Sequence, residues 1–426
     1  MTAAMTVRLA AKDASSVLVV CQLVAGGVAF VVNIFAARAL APAGRGELAL
    51  LLQIAYLSSL GLLLGCDRSL VAVYAGNSVR AVARACIRLL RLPSLLGLTV
   101  AVVLLTVPAF GDWRTSLAFA VLFAVVNAFV RGIRSIAIAT GHHRGFYGYT
   151  LVSQGLLILG CALLFLLRVD NIAIWLLTYL FAGAMPTAVW IVRWTRSGAA
   201  AAQHIGGTEH ACLVAERLRQ ARREGLQLLP AAVANSGMLR LDRLLLPAMA
   251  SAGALGIYAS VGTMTELIAW PLLAMADSRL GTWREAYDRG ALSLHRFLSL
   301  AIAYALVSAA LGGVLIHVLL VPLLGSRYAA AGELIAPLVL AAATLGVSQL
   351  LISALTATRR NILASGAEIV GFAVSGVAYV VLIPRFGALG AAYGSVVGYG
   401  SCLLVAGAAL FNARCRSTVA AAKVER

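Results

Sequence analysis

Apolar runs of about 20 residues, separated by short polar breaks, recur from one end of the chain to the other. Coiled as a helix, each run is long enough to cross the hydrocarbon layer of a bilayer. Twelve such runs are legible, at about 15–38, 46–66, 86–109, 115–138, 147–167, 171–193, 225–248, 254–277, 297–323, 331–357, 363–384 and 390–411. The pattern predicts an all-α integral membrane protein. The stretch 17–37, followed by small residues, has some character of a signal peptide. Its length predicts an uncleaved first helix instead. Several runs contain Gly or Pro, which membrane helices tolerate where neighbouring helices or cavity water satisfy the backbone.

The polar breaks alternate in charge. With a cytoplasmic N-terminus, 26 of the 34 Lys and Arg residues fall on the inner side and six on the outer, leaving Arg240 and Arg243 inside the seventh run. A wrong number of spans would scramble that alternation, so the asymmetry predicts both the number and an inside position for both termini. Trp113, Trp175, Trp190, Trp194 and Trp283 fall near span ends, where interfacial aromatics are expected.

The longest polar stretch, Arg196–Glu224, divides the runs into two sets of six. The domain reading is an N-terminal six-helix lobe (1–195), a cytoplasmic linker (196–224), a C-terminal six-helix lobe (225–412) and a basic cytoplasmic tail (413–426). The halves repeat weakly. Ala36–Leu60 and Pro247–Ala269 share an Ala-Gly-x-x-Gly character at corresponding junctions. Ala137–Gly155 and Ala354–Gly371 are both rich in Ala and Thr, and each contains a cationic turn (His142, His143 and Arg144; Arg359 and Arg360). Six spans per half predict two bundles related by a pseudo-twofold axis along the membrane normal.

Composition agrees with the pattern. The chain has 426 residues, 62% hydrophobic and only 12% charged, with a formal net charge of +18. In a soluble protein that charge would point to nucleic acid. Here it belongs to inner-side loops, and no basic helix carries the interleaved aromatics of a nucleic-acid module. The seven cysteines (21, 66, 86, 161, 212, 402, 415) are odd in number and lack a C-x-x-C pair, so they read as small buried hydrophobes. His142, His143, His204, His210 and Cys212 have no zinc spacing, and no phosphate-binding lysine loop is present. No cofactor is expected, and any transport must draw on a gradient or on substrate flux.

Ionisable groups deep in a span are costly, so the few present are the candidate chemistry. On the seventh span Ser236, Arg240 and Arg243 share a face at i, i+4 and i+7, with Asn235 and Asp242 on the neighbouring stripe. One reading is an anion-binding surface, because guanidinium groups suit phosphate bidentately. The other is a local ion pair with arginines snorkelling to the interface. Glu266, in the middle of the eighth span and before Pro271, either couples transport to a proton or cation or pairs with an arginine of span seven. Pro271 offers a hinge. Arg131 and Arg134, preceded by Asn127, either line a cytoplasmic mouth that attracts a pyrophosphate or act as inner-side anchors. Glu368 is placed to pair with Arg359 or Arg360. Asn33, Gln53, Gln154 and Gln349 are cavity hydrogen-bonders or interhelical glue.

Three stretches carry a resemblance. Ile34–Gly65 (IFAARALAPAGRGELALLLQIAYLSSLGLLLG) resembles the opening of polysaccharide-biosynthesis flippases of the multidrug/oligosaccharidyl-lipid/polysaccharide (MOP) exporter superfamily. Leu239–Met275 resembles their seventh and eighth helices, including the Asp-Arg pair at Asp242 and Arg243. Leu382–Gly400 (LIPRFGALGAAYGSVVGYG) resembles the turn before their last helix. The resemblance implies a twelve-helix, two-lobed carrier with alternating access. It implies an undecaprenyl-pyrophosphate-linked oligosaccharide as substrate, moved from the cytoplasmic to the periplasmic leaflet of the inner membrane. Expected partners are that lipid-linked oligosaccharide, membrane lipids, a polysaccharide polymerase and chain-length proteins, with no nucleic acid. The alternatives are a cation-coupled drug exporter of the same superfamily and a membrane polysaccharide polymerase or ligase. The chain has no carboxylate in its first span and has short outer loops, which count against the first and the second respectively.

Overall fold

The computed structural model describes residues 3–107, 111, 113–196, 207–289 and 294–424. They form twelve α-helices, one 3₁₀ turn at Ser326–Ala331 and, among the described residues, no strand. The helices are α1 (Ala3–Leu63), α2 (Cys66–Val73), α3 (Val79–Thr106), α4 (Arg114–Thr140), α5 (His143–Leu166) and α6 (Ile172–Arg196), then α7 (Gly207–Met249), α8 (Ala252–Asp288), α9 (Leu294–Leu324), α10 (Gly332–Ala357), α11 (Asn361–Phe386) and α12 (Ala388–Val424).

Ten stretches among the described residues are long and apolar enough to span a bilayer. The count differs from the twelve sequence runs for two physical reasons. The first two runs merge into one helical stretch, Val17–Leu63. The seventh run, within α7, carries Arg240, Asp242 and Arg243 within a single turn, and is less apolar than the ten. The exposed surface of the remaining helices is apolar: Leu96 on α3, Leu166 on α5, Leu311 on α9, Val377 on α11 and Leu404 on α12 all face outward. In water such belts would aggregate; in lipid they are the expected surface. The chain is a multi-pass membrane protein.

Two compact units form: Met1–Leu40 with Glu47–Val233, and Ala41–Gly46 with Ala234–Arg426. In the first, α4 packs against α2, α3, α5 and α6. One of its cores is built around Cys86, Leu90, Ile133, Ile136 and Tyr149, and a second around Leu48, Leu51, Phe123, Leu176 and Trp175. Trp175 and Trp194, expected at the membrane interface, are core residues instead, 0% and 3% exposed. Trp175 donates Nε1–H to the Val169 carbonyl at 2.9 Å, which satisfies the one polar atom of a buried indole. Residues 207–224, read from the sequence as part of a linker, are the first turns of α7. At Ala221 this stretch meets α2, where the Ser69 hydroxyl donates to the Ala221 carbonyl at 2.6 Å.

In the second unit α10 is central, packed by α8, α9 and α12. Its small residues permit close approach: Gly346 lies against Leu272 and Ala269 of α8. The short segment Ala41–Gly46 also belongs here. Pro42 removes a backbone donor, and the residue before a proline avoids the α region. Ala41 accordingly leaves the helix, at φ 56° and ψ 176°. The segment then meets the start of α8 backbone to backbone. A Cβ on Gly46 would collide with the Ala252 carbonyl, and one on Gly256 with the Pro42 carbonyl. The two junctions that repeat in sequence therefore touch each other through paired glycines.

The other repeated segments also share a local geometry. α4 ends at Thr140, Gly141 turns left-handed (φ 68°) and α5 starts at His143. α10 is capped by Thr358, Arg359 turns left-handed (φ 61°) and α11 starts at Asn361.

Candidate functional site

α7 enters the second unit carrying Arg240, Asp242 and Arg243 within one turn, and these three sort to two destinations. The guanidinium of Arg243 is ion-paired and hydrogen-bonded to the Glu266 carboxylate of α8. Arg240 approaches the same oxygen of Glu266 more loosely, at 4.0 Å. The i, i+3 spacing of the two arginines places both heads over one side chain on the neighbouring helix. Asp242 points elsewhere. It accepts a hydrogen bond of 2.5 Å from the Tyr258 hydroxyl and another of 2.8 Å from the Arg243 backbone N–H.

Tyr258 begins a buried polar chain. Its oxygen lies 3.3 Å from the Ser395 hydroxyl of α12, which lies 3.0 Å from the Tyr379 hydroxyl of α11 and donates to the Ala391 carbonyl at 3.1 Å. Asp242, Tyr258, Ser395 and Tyr379 are all buried. A carboxylate desolvated at this depth requires such donors, because an unpaired buried charge costs several kcal/mol, roughly.

These groups frame a recess of about 110 Å³. Arg240, Asp242 and Arg243 line one side, and Tyr258, Thr265, Glu266 and Trp270 of α8 line another. Ser395 and Tyr399 come from α12, and Leu338, Ala341, Ala342 and Leu345 of α10 make an apolar wall. Gly262 leaves room for the Arg243 head, since a Cβ there would sit 3.4 Å from its terminal nitrogen. Arg240 and Glu266 remain partly accessible, with side chains 37% and 30% exposed. The Arg243 Nε is buried without a hydrogen-bond partner. Both guanidinium groups thus face Glu266, while Asp242 is held by Tyr258 and the Arg243 backbone.

The structure brings together four of the seven candidate residues: Arg240, Asp242, Arg243 and Glu266. Of the two readings of Glu266, pairing with α7 is the one the geometry displays. Asn235 lies two turns back on α7 and is directed away from the recess, donating to Glu368 of α11 at 2.6 Å. Asn235 is thus one partner of Glu368. Arg131 and Arg134 belong to the other unit, on α4, half-buried and exposed respectively, and both engage neighbouring groups. Pro271 sits inside α8, which runs on as one helix to Asp288.

Sequence reasoning missed Tyr258, Thr265, Trp270, Ser395 and Tyr399. Part of the signal was present: Tyr258, Gly262, Thr265, Glu266 and Ala269 form one helical stripe at i, i+4, i+7, i+8 and i+11. The partners on α12 carry no local signal, because only tertiary packing pairs them with α8.

Among the described residues no group of three or more His, Cys, Asp or Glu is placed to hold a metal ion. Five described cysteines, 21, 66, 86, 161 and 402, are buried free thiols. His204 lies outside the described residues, as do the side chains of His210, Cys212, Cys415 and the basic C-terminal residues.

No family model and no curated protein matches this chain. Solved structures do. An inward-facing multidrug resistance MATE family transporter of the MOP superfamily superposes with a TM-score of 0.60 at 16% identity, covering 94% of this chain and 95% of its own. The lipid II flippase MurJ, in an inward closed conformation, gives 0.65 at 10% identity, covering 93% and 87%. A MOP superfamily transporter from Pyrococcus furiosus gives 0.56 at 13%, covering 95% and 96%. Across nearly its whole length, then, this multi-pass membrane chain has the fold of MOP superfamily transporters.

Proposed function

We propose that the protein is a flippase that moves a lipid-linked oligosaccharide, carried on undecaprenyl pyrophosphate, from the cytoplasmic to the periplasmic leaflet of an inner membrane, for surface polysaccharide synthesis. Both termini then lie in the cytoplasm, as the charge asymmetry of the loops argues. The physical task is to carry a charged, hydroxyl-rich head through hydrocarbon that would refuse it. Alternating exposure of a polar recess does this while the prenyl tail stays in lipid.

The observation that supports the reading is the partly exposed Arg240 beside Arg243 in a recess with polar groups on one side and an apolar α10 wall on the other. Guanidinium groups bind phosphate oxygens in pairs. The recess is balanced in formal charge, since Asp242 and Glu266 oppose the two arginines. Asp242 is occupied by Tyr258, so Glu266 is the group that an incoming pyrophosphate must displace from Arg243. In this reading Glu266 is the internal counter-ion that holds the arginines between substrates. Protonation or displacement of Glu266 couples loading to the cycle. Arg131 and Arg134 remain candidates for an approach site on the cytoplasmic side.

A second reading is a cation-coupled drug exporter. It is favoured by the partly exposed carboxylate of Glu266 beside Trp270, a pairing that suits an organic cation. MATE transporters are among the structures of like fold.

Replacing both Arg240 and Arg243 by Ala in the producing cell distinguishes the two. The flippase reading expects surface polysaccharide to disappear while membrane levels of the protein hold, with no change in tolerance to cationic drugs. Normal polymer output in that double variant removes the anion site.

A further inference from the structure

A second cluster of cations lies in the first unit, at the corner where α2, α3 and α7 meet. Arg84, Arg88 and Arg91 follow one another along the exposed side of α3, one turn apart. α3 contains no acidic residue. One turn further the same surface becomes Leu92, Leu95 and Leu96, all strongly exposed. The helix thus passes from guanidinium to leucine within a turn, as a surface does where it crosses from headgroups into acyl chains.

The corner also holds a group with no protein partner. Tyr74, just past α2, is 4% exposed, yet its hydroxyl makes no hydrogen bond. Burial raises the ordinary phenol pKa of Tyr74, and the nearby guanidinium groups of Arg217 and Arg88 oppose the rise. Arg217 is steered to the corner by Asn77, whose side-chain oxygen accepts from it at 3.1 Å. Arg222 and Arg223 extend the cationic surface along α7. The acids on these elements are Asp67 at the start of α2 and Glu216 and Glu224 of α7, the last already accepting from Gln220 at 2.9 Å. A buried donor left without an acceptor is costly unless something supplies one.

We infer that the Tyr74, Arg88 and Arg217 corner, fed by the arginine stripe of α3, is a docking site for the phosphate headgroup of an anionic membrane phospholipid. The Tyr74 hydroxyl and the guanidinium groups of Arg88 and Arg217 beside it are the donors of this corner. The exposed leucines beyond Arg91 supply the apolar bed for the acyl chains. A lipid phosphate fits better than a soluble anion because the cationic and apolar parts are continuous on one helix. The site is independent of the Arg240 and Arg243 recess.

The test uses the purified full-length protein. Native mass spectrometry and thermal unfolding in nanodiscs are measured with phosphatidylglycerol and with phosphatidylcholine. The expected result is preferential retention of phosphatidylglycerol and a higher melting temperature in the anionic bilayer. Arg88→Gln with Arg217→Gln should reduce that retention by roughly tenfold or more. Tyr74→Phe separates docking from folding. Its hydroxyl has no protein partner, so the variant should melt normally in phosphatidylcholine and lose stabilisation only in phosphatidylglycerol. Equal retention of the two lipids, or unchanged phosphatidylglycerol retention in the variants, would overturn the assignment. So would stabilisation by inorganic phosphate alone to the same degree, which would make this a site for free anions.

Discussion

At the residue scale, the decisive feature is how three neighbouring ionisable side chains divide their partners. Arg243 and Arg240 face Glu266, whereas Asp242 turns to Tyr258. The pairing is partly desolvated, so removing one member leaves a charge with reduced compensation. Arg243→Ala and Glu266→Ala should each lower the unfolding free energy, while the double variant should lose less than the sum. A double-mutant cycle read by thermal unfolding is expected to give a coupling of about 1–3 kcal/mol. A coupling near zero would mean that the two side chains do not depend on each other. Tyr258→Phe tests the other arm. It strips a buried carboxylate of its side-chain donor, which costs about 1–3 kcal/mol, and the melting temperature should fall even where no substrate is present. The arginines and Glu266 were legible in the sequence because charge inside an apolar run stands out. Their division of labour was not, since Tyr258, Ser395 and Tyr379 enter only through packing of α8, α11 and α12. The tryptophans teach the converse. Trp175 and Trp194 sit near span ends as interfacial aromatics do, yet both are buried, because position along a helix does not reveal which face is packed.

At the element scale, charge and glycine decide where helices stop and meet. α7 carries three ionisable residues within the stretch expected to span the membrane, and it is for that reason the least apolar of the expected spans. The break in the first helix follows from Pro42 and was hidden in an otherwise continuous apolar pattern. The paired approach of Gly46 and Gly256 leaves no space for a side chain on either partner. Gly256→Ala should therefore force the Pro42 segment away from α8 and cost about 1–3 kcal/mol, the usual penalty of overpacking. Reduced melting temperature and reduced yield in membranes are the expected readouts. Gly253→Ala is the matched control, because a Cβ there meets only the Ser251 hydroxyl oxygen at 3.8 Å. Equal behaviour of the two variants would show that the close approach does not matter. The Ala-Gly-x-x-Gly character of both junctions was visible in the sequence. That the two copies would touch was not, since contact between segments some 200 residues apart is a property of topology.

At the scale of the whole molecule, the alternation of apolar and basic segments made the membrane class and the helical fold legible from the sequence. In the proposed reading substrate choice rests on a handful of side chains in one recess, and apolar composition carries no information about it. The similarity to MOP superfamily transporters spans almost the entire chain, at identities of 10–16% among the structures compared above. That level shows the fold alone, and the proposed cargo rests on Arg240, Arg243 and Glu266. The proposed orientation has its own check. A single cysteine placed near Arg360, on a background lacking the native cysteines, should resist a membrane-impermeant thiol reagent in intact cells and react after permeabilisation. One placed near Arg327 should react in both. The opposite pattern would invert the topology. The most direct test of the central claim is translocation by the purified protein in liposomes carrying an undecaprenyl-pyrophosphate-linked oligosaccharide, with the sugar accessible to an external lectin or glycosidase only after flipping. The account predicts protein-dependent exposure of the sugar that Arg240→Ala with Arg243→Ala abolishes. Exposure that proceeds equally with the double variant would contradict it.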